Sequence, residues 1–223
     1  MSSHRDGFDV LVIGSGASGL AAAVSADRAG ARVALATKAS IQSCNSAKAQ
    51  GGIQAAFGED DSPELHAEDV WRSSHETANM ELVTVLTSEA PSAIHWLEEL
   101  GVVFTRESGV AGNGGYRLAR CGGSSAKRLL QVGDRTGHAI TKALRDAAEG
   151  GNVTVFPKSP LEDLEKTEHG WRARVGEHTL DVIAYTGDPG TVDSVTLDMR
   201  VSSGTYVRAI AEALGGHCRT LRR

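Results

Sequence analysis

The run Gly14-Ser15-Gly16-Ala17-Ser18-Gly19 is a GxGxxG, a spacing suited to a backbone that must fold tightly around a diphosphate. The first glycine permits a sharp turn after a strand, the second lets backbone approach a pyrophosphate, and the third lets helix and strand pack closely. A helix opening there offers N–H groups and the positive end of its dipole to the phosphates. On its own the motif is weak. Its setting gives it weight, because FDVLVI at 8–13 reads as a buried strand and LAAAVSADRAG after it as a helix. One expected part is missing. An acid should close the second strand about 20 residues on and bond a ribose hydroxyl, yet Thr37 and Lys38 stand there. Thr37 still offers one hydroxyl, so weaker binding is expected rather than none.

Other reactive side chains read more plainly. His138, in Asp134-Arg135-Thr136-Gly137-His138, could be a general base. The simpler reading is a helix start with Asp134 or Thr136 as cap and His138 satisfied locally. Cys121 sits in a Gly-rich loop without an identifiable partner His, which reads as an inert thiol. His66, Glu68, Asp69 and His75 lie on a charged helical stretch and read as a solvated face, so no metal site is expected. No catalytic residue can be named from these patterns.

The elements that would position the motif follow from periodicity. Strand 8–13, a helix stopped by Gly30, and strand 31–37 form a β-turn-α-β unit, which implies parallel pairing. Residues 38–58 are small, polar and too long for a plain connector. Two helices are expected at about 64–90 and 91–100, with Pro91 as a first helical residue and Gly101 as a stop. A loop at 106–116, a helix at 137–148, a strand at 152–157 and a hairpin strand at Trp171–Val175 complete this part. The texture then changes near Gly176. Thr179–Tyr185 and Ser194–Val201 read as strands and a helix begins near Thr205. The expected domains are 1–176 and 177–223. The fold class is α/β, a Rossmann-like nucleotide-binding fold, incomplete, followed by a small α+β tail.

Composition bounds these readings. The chain has 223 residues, 40% hydrophobic, with 26 glycines and a net charge of −5. The charge speaks against nucleic acid as the main partner, since phosphate binding relies on a basic field. Cys44, Cys121 and Cys218 are odd in number and far apart, which favours reduced thiols and a cytoplasmic location. No window approaches the roughly 18 apolar residues of a membrane span.

The residues after the second strand identify the dinucleotide. Ser46-Ala47-Lys48-Ala49-Gln50-Gly51-Gly52-Ile53 resembles the SxxAQGGI loop of the fumarate reductase/succinate dehydrogenase flavoprotein family, which includes L-aspartate oxidase. The likeness continues through DSPELHAEDVW, EAPSAIHWLEELGVVF and GDRTGHAITKAL, so it covers about residues 8–175. The resemblance implies FAD and an oxidoreductase acting on a dicarboxylate or amino-dicarboxylate. It places Gly14, Ser15, Gly16, Ala17, Ser18 and Gly19 on the pyrophosphate and Thr37 and Lys38 on the adenosine side. Ser43, Asn45, Ser46, Ala49, Gln50, Gly51 and Gly52 would line the pyrophosphate and flavin. Succinate dehydrogenases attach FAD through a His five residues before the loop Gln; Asn45 stands there, so the flavin is expected to be non-covalent. The family's capping domain and returning FAD segment have no counterpart in this reading, which makes the chain truncated.

The end of the chain reads differently. SSGTYVRAIAEALGG with LRR, and the segment before it, resembles the C-terminal part of the catalytic domain of tRNA pseudouridine synthase B over about 178–223. In that family the Arg of the motif pairs with a catalytic Asp, and Arg208 is the matching position; no segment delivering such an Asp is found upstream. Weak RNA contact through Arg208, Arg219, Arg222 and Arg223 is the alternative function this implies, with an inactive fusion as a third reading.

Overall fold

The computed structural model describes residues 7–108 and 114–183. In chain order the first elements are β1 (Gly7–Phe8), β2 (Val10–Ile13), α1 (Ala17–Arg28), β3 (Val33–Ala36), α2 (Asn45–Lys48), β4 (Ile53–Gln54) and α3 (Pro63–Ser73). They are followed by α4 (Met80–Glu99), β5 (Leu129–Leu130), α5 (Thr136–Gly150), β6 (Thr154–Phe156), β7 (Leu161–Thr167), β8 (Gly170–Val175) and β9 (His178–Ile183). Among the described residues the chain forms two compact units, 7–40 with 152–183, and 41–151.

The first unit is the α/β part. β2 and β6 both pair in parallel with β3, as an apolar strand feeding a helix leads one to expect. α1 ends where the sequence places its stop. Gly30 N–H donates to the Asp27 carbonyl at 2.9 Å and Ala31 N–H to that of Ala26 at 3.1 Å, the paired bonds that close a helix C-terminus. The expected single strand 8–13 is instead two short strands broken at Asp9. There the Arg32 guanidinium and N–H both bond the Asp9 carboxylate. Those bonds hold its pKa down to about 2.

A second sheet in this unit runs β1-β9-β8-β7. Its inner face meets the parallel strands over Phe8, Ala34, Ala36, Ala173, Val175 and Leu180. Alanine on β3 leaves room for the larger side chains opposite. The predicted pairing of Trp171–Val175 in a hairpin is present as β7–β8. Residue 176 falls in the turn between β8 and β9, and β9 goes on to pair in parallel with β1. The later tail elements, Ser194–Val201 and the helix near Thr205, lie outside the described residues.

The second unit is mainly helical, with the short antiparallel pair β4–β5. α3 begins at a Ser62 cap, whose hydroxyl accepts from Leu65 N–H, with Pro63 as first residue. The long helix expected over 64–90 does not form. α3 stops at Ser73, His75 and Glu76 take φ of 52° and 62°, and α4 restarts at an Asn79 cap. The His75 and Glu76 N–H groups close α3 on Arg72 and Trp71. Local side-chain bonds from Ser74 and Asn79 outweigh continuous periodicity here. Pro91 lies inside α4 rather than at its start. Burial of Val83, Thr87, Ile94 and Leu97 along one face carries the helix through the hydrogen bond that proline cannot make. Gly101 does stop it.

Candidate cofactor site

The glycine motif stands in the strand–turn–helix context that it requires. Gly14 N–H donates to the Ala36 carbonyl at 2.7 Å, which ties the turn to the end of β3. A Cβ at Gly19 would lie 2.1 Å from the Gly14 carbonyl oxygen. That contact is the reason the third position admits no side chain, and it lets α1 start tight against β2. Gly16 is the N-cap in extended conformation and no side chain caps it. No acidic residue lies in the first turn. The first turn thus adds no negative charge of its own to the positive helix end.

Where the acid is missing, the structure supplies a hydroxyl pair. Ser15 Oγ and Thr37 Oγ1 are 3.0 Å apart and both residues are buried. Thr37 is further fixed by its N–H to Phe156 and by Ser159 N–H to its carbonyl. Lys38 is exposed. The sequence points to Thr37 alone. Ser15 as its partner was not legible, because the two are 22 residues apart and only the parallel pairing of β2 with β3 brings them together. This donor set fits a dinucleotide: a helix start without acids, a glycine turn and neutral hydroxyls beside a surface lysine.

The loop of the second motif belongs to the 41–151 unit. Asn45 and Ser46 open the one-turn helix α2, capped by the Cys44 thiol, which accepts from Ala47 N–H. Ser43, Asn45, Ala49, Gln50, Gly51 and Gly52 are exposed, and Ser46 is half-buried. The small residues thus present backbone to solvent rather than filling a core. Two contacts hold them. Gln131 Nε2 donates to the Gly51 carbonyl at 2.8 Å, and Gly137 N–H donates to the Ala49 carbonyl at 2.9 Å. A Cβ at Gly137 would sit 2.0 Å from the Ser46 carbonyl oxygen and 2.8 Å from Ala49 Cβ. Gly137 therefore lets the start of α5 press on the loop. Its signal in the sequence was a glycine in a first helical turn, where glycine is a poor helix former.

His138 is exposed at the start of α5. Neither Asp134 nor Thr136 caps that helix. Arg135 is the N-cap without a side-chain bond, and Thr136 Oγ1 accepts from Val132 N–H instead. Cys44 and Cys121 are free thiols.

The charged stretch on α3 is not a uniformly solvated face. Glu68 and His75 are exposed, but His66 and Asp69 are each only 4% exposed. Asp69 belongs to an ion network that the sequence did not reveal. Fully buried Arg128 reaches Asp61 with Nε and Nη2 at 2.9 and 2.6 Å, and Asp69 with Nη1 at 2.5 Å. Ser125 adds its N–H and hydroxyl to Asp69 at 2.7 and 2.8 Å. Burial alone would raise the Asp69 pKa, but the bonds from Ser125 and Arg128 outweigh it and hold the carboxyl below its ordinary value. Burial, then the Arg128 charge, lowers the His66 pKa, so its imidazole is neutral at neutral pH. Among the described residues no group of three or more His, Cys, Asp or Glu could hold a metal.

Comparison with known proteins places these features in a family. The profile described as "FAD binding domain" matches residues 9–213. L-aspartate oxidase of Streptomyces coelicolor is 32% identical over 89% of this chain and 36% of its own length. The Synechocystis L-aspartate oxidase is 35% identical over 96% and 39%. Among solved structures, Mycobacterium smegmatis Sdh1 in complex with UQ1 aligns with a TM-score of 0.72 at 27% identity, over 86% of this chain and 34% of that one. The open conformation of a flavocytochrome c3 fumarate reductase gives 0.71 at 27% identity, over 87% and 34%. The chain thus spans little more than a third of these relatives. The likeness also runs further than the expected limit near 175: the profile takes in most of 178–223, and the resemblance of that segment to tRNA pseudouridine synthase B gains no support. Arg208, Arg219, Arg222 and Arg223 lie outside the described residues. No helix among the described residues is long and apolar enough to cross a membrane. With its glycine turn, its AQGG loop and a profile match over most of its length, the chain belongs to the FAD-binding domain family typified by fumarate reductase, succinate dehydrogenase and L-aspartate oxidase flavoproteins.

Proposed function

We propose that this chain is the FAD-binding part of an oxidoreductase that acts on a dicarboxylate or amino-dicarboxylate. The observation that carries the reading is the β2–turn–α1 unit with its Gly14–Gly19 motif, its acid-free first helical turn and the buried Ser15–Thr37 pair. Gly14, Ser15, Gly16, Ala17, Ser18 and Gly19 hold the pyrophosphate, and Thr37 with Lys38 the adenosine side. Ser43, Asn45, Ser46, Ala49, Gln50, Gly51 and Gly52 line the pyrophosphate and flavin. Bound FAD supplies hydride acceptance and return at its ring system. The chain's own part is to bind and orient it. The names of the relatives, L-aspartate oxidase and fumarate reductase, support the substrate class.

Asn45 stands where a covalent His would, and an amide is not a nucleophile, so the flavin is dissociable. The test is titration of the purified chain with FAD, followed by visible spectrum and calorimetry. Wild type binds and Gly16→Val does not, because a branched side chain there occupies the path of the pyrophosphate. A wild type that stays colourless and shows no heat refutes the reading. L-aspartate and succinate are expected to leave the bound flavin oxidised under anaerobic conditions, since the chain's own part is to hold FAD, and rapid bleaching by either would overturn that division.

A further inference from the structure

Gln131 reaches from the end of β5 to the AQGG loop, where its Nε2 donates to the Gly51 carbonyl at 2.8 Å. Only the nitrogen end of the amide can donate to a carbonyl, so the side chain has one orientation. Its own backbone is anchored as well, the carbonyl accepting from Thr105 N–H at 2.8 Å. The register Ile53↔Leu130, carried one residue further, sets Gln131 opposite Gly52. The bond thus fixes a single peptide plane, that between Gly51 and Gly52, in an exposed part of the loop.

Two independent facts give the direction of that plane. No peptide bond among the described residues is cis. In a trans peptide the N–H points opposite to the C=O, so the Gly52 N–H is turned away from Gln131. The β4–β5 ladder agrees. Ala55 N–H bonds the Arg128 carbonyl at 3.0 Å, which makes Ala55 and, by alternation, Ile53 bonded positions. Gly52 falls at a non-bonded one, whose N–H faces outward from β5. The two glycines also differ. A Cβ at Gly52 would lie 2.5 Å from the Leu130 carbonyl oxygen, so packing on β5 requires glycine there. Gly51 lies outside the left-handed region and a Cβ on it would meet nothing within 4 Å. Nothing in the protein requires glycine at 51, whereas a flat ring laid against the backbone does. A peptide left free to rotate would have to be ordered on binding, at a cost in affinity. Resting on the FAD reading above, we infer that Gln131 is a positioning residue for the flavin: it holds the Gly51–Gly52 peptide so that the Gly52 N–H is presented as a donor to the acceptor edge of the ring.

The test compares the full chain with Gln131→Met, which keeps the length of the side chain and loses the donor. Without FAD, the Gly52 amide resonance in ¹H–¹⁵N spectra moves, because the carbonyl of the same peptide has lost its bond. With FAD, affinity falls about fivefold, the worth of one hydrogen bond, and the visible flavin bands shift. Affinity for ADP, which lacks the ring, stays the same. A residue that merely supports the fold would weaken FAD and ADP together and leave the bands in place. In Gly51→Ala the Tm of the FAD-free chain is no lower, yet FAD binds more weakly and ADP does not. An unmoved Gly52 resonance, an unchanged FAD affinity in Gln131→Met, or equal losses for FAD and ADP overturn the inference and leave the cofactor reading standing. A wild type that takes up no FAD refutes the cofactor reading itself, and this inference with it.

Discussion

Arg128 shows how one residue can be indispensable without touching a ligand. It bonds two buried carboxylates, Asp61 and Asp69, from a fully buried position. Replacing it by Met leaves buried Asp61 without its ion partner and Asp69 with only Arg72 and Ser125, and breaking a buried pair in this way costs about 3–5 kcal/mol. Urea unfolding at pH 7 measures the loss. A cost under about 1 kcal/mol, the range of exposed pairs, would show the network to be solvated. His66 makes a second prediction, in pH. Its folded pKa lies below the ordinary 6.5, so the unfolded chain takes up the proton first. Stability is whole above about 6.5 and declines as pH falls through the lowered folded value. Asp69 has a depressed carboxyl pKa; its contribution is whole above the ordinary 3.8 and is lost as pH falls further. Unfolding free energies of wild type and His66→Gln between pH 7 and about 2 separate the two. The variant loses the upper decline and keeps the lower. Parallel curves refute the assignment.

At the scale of elements, the AQGG loop has no regular structure of its own beyond the one turn of α2. It depends on α5 and on Gln131 for its shape. Gly137→Ala forces a methyl into the Ser46 carbonyl. Overpacking of this kind costs about 1–3 kcal/mol, and here the strain falls on the loop. The variant is expected to fold with lower stability and to be cleaved faster by protease within 43–52. Unchanged stability and unchanged cleavage would show that the loop does not lean on α5. The helices also show where periodicity misleads. Residues 64–90 carry a continuous helical pattern, yet Ser74 and Asn79 break it with side-chain bonds. Pro91, a helix start by residue type alone, is absorbed inside α4 because buried neighbours hold the turn.

For the molecule as a whole, FAD binding is a stability statement. A ligand that binds only the folded chain contributes about 2.7 kcal/mol at a free concentration of 100 Kd. In a chain of this length that corresponds to a rise in Tm of roughly 5–10 °C. Thermal unfolding with and without FAD measures it, and the colour should pass to the supernatant on acid precipitation. Flavin fluorescence retained on a denaturing gel would contradict the non-covalent reading, and an unmoved Tm would contradict binding itself.

The sequence by itself determined the nucleotide chemistry of the chain. Gly14, Gly16 and Gly19 are spaced by the local geometry of one strand, one turn and one helix, and local geometry is written in consecutive residues. The same holds for the helix stops at Gly30 and Gly101, and for the hairpin that ends at Val175. The AQGG loop was legible as a family resemblance, though not as a shape. Only the tertiary structure decided the rest. Ser15 meets Thr37 because β2 and β3 pair in parallel, Gly137 meets Ser46 because α5 packs on α2, and Arg128 meets Asp61 and Asp69 across 67 and 59 residues. It also turned His66 and Asp69 from an expected solvated face into buried groups. Charge and polarity along a helix say what a residue prefers. Whether a partner on a distant segment makes its burial affordable is settled only when the chain has folded.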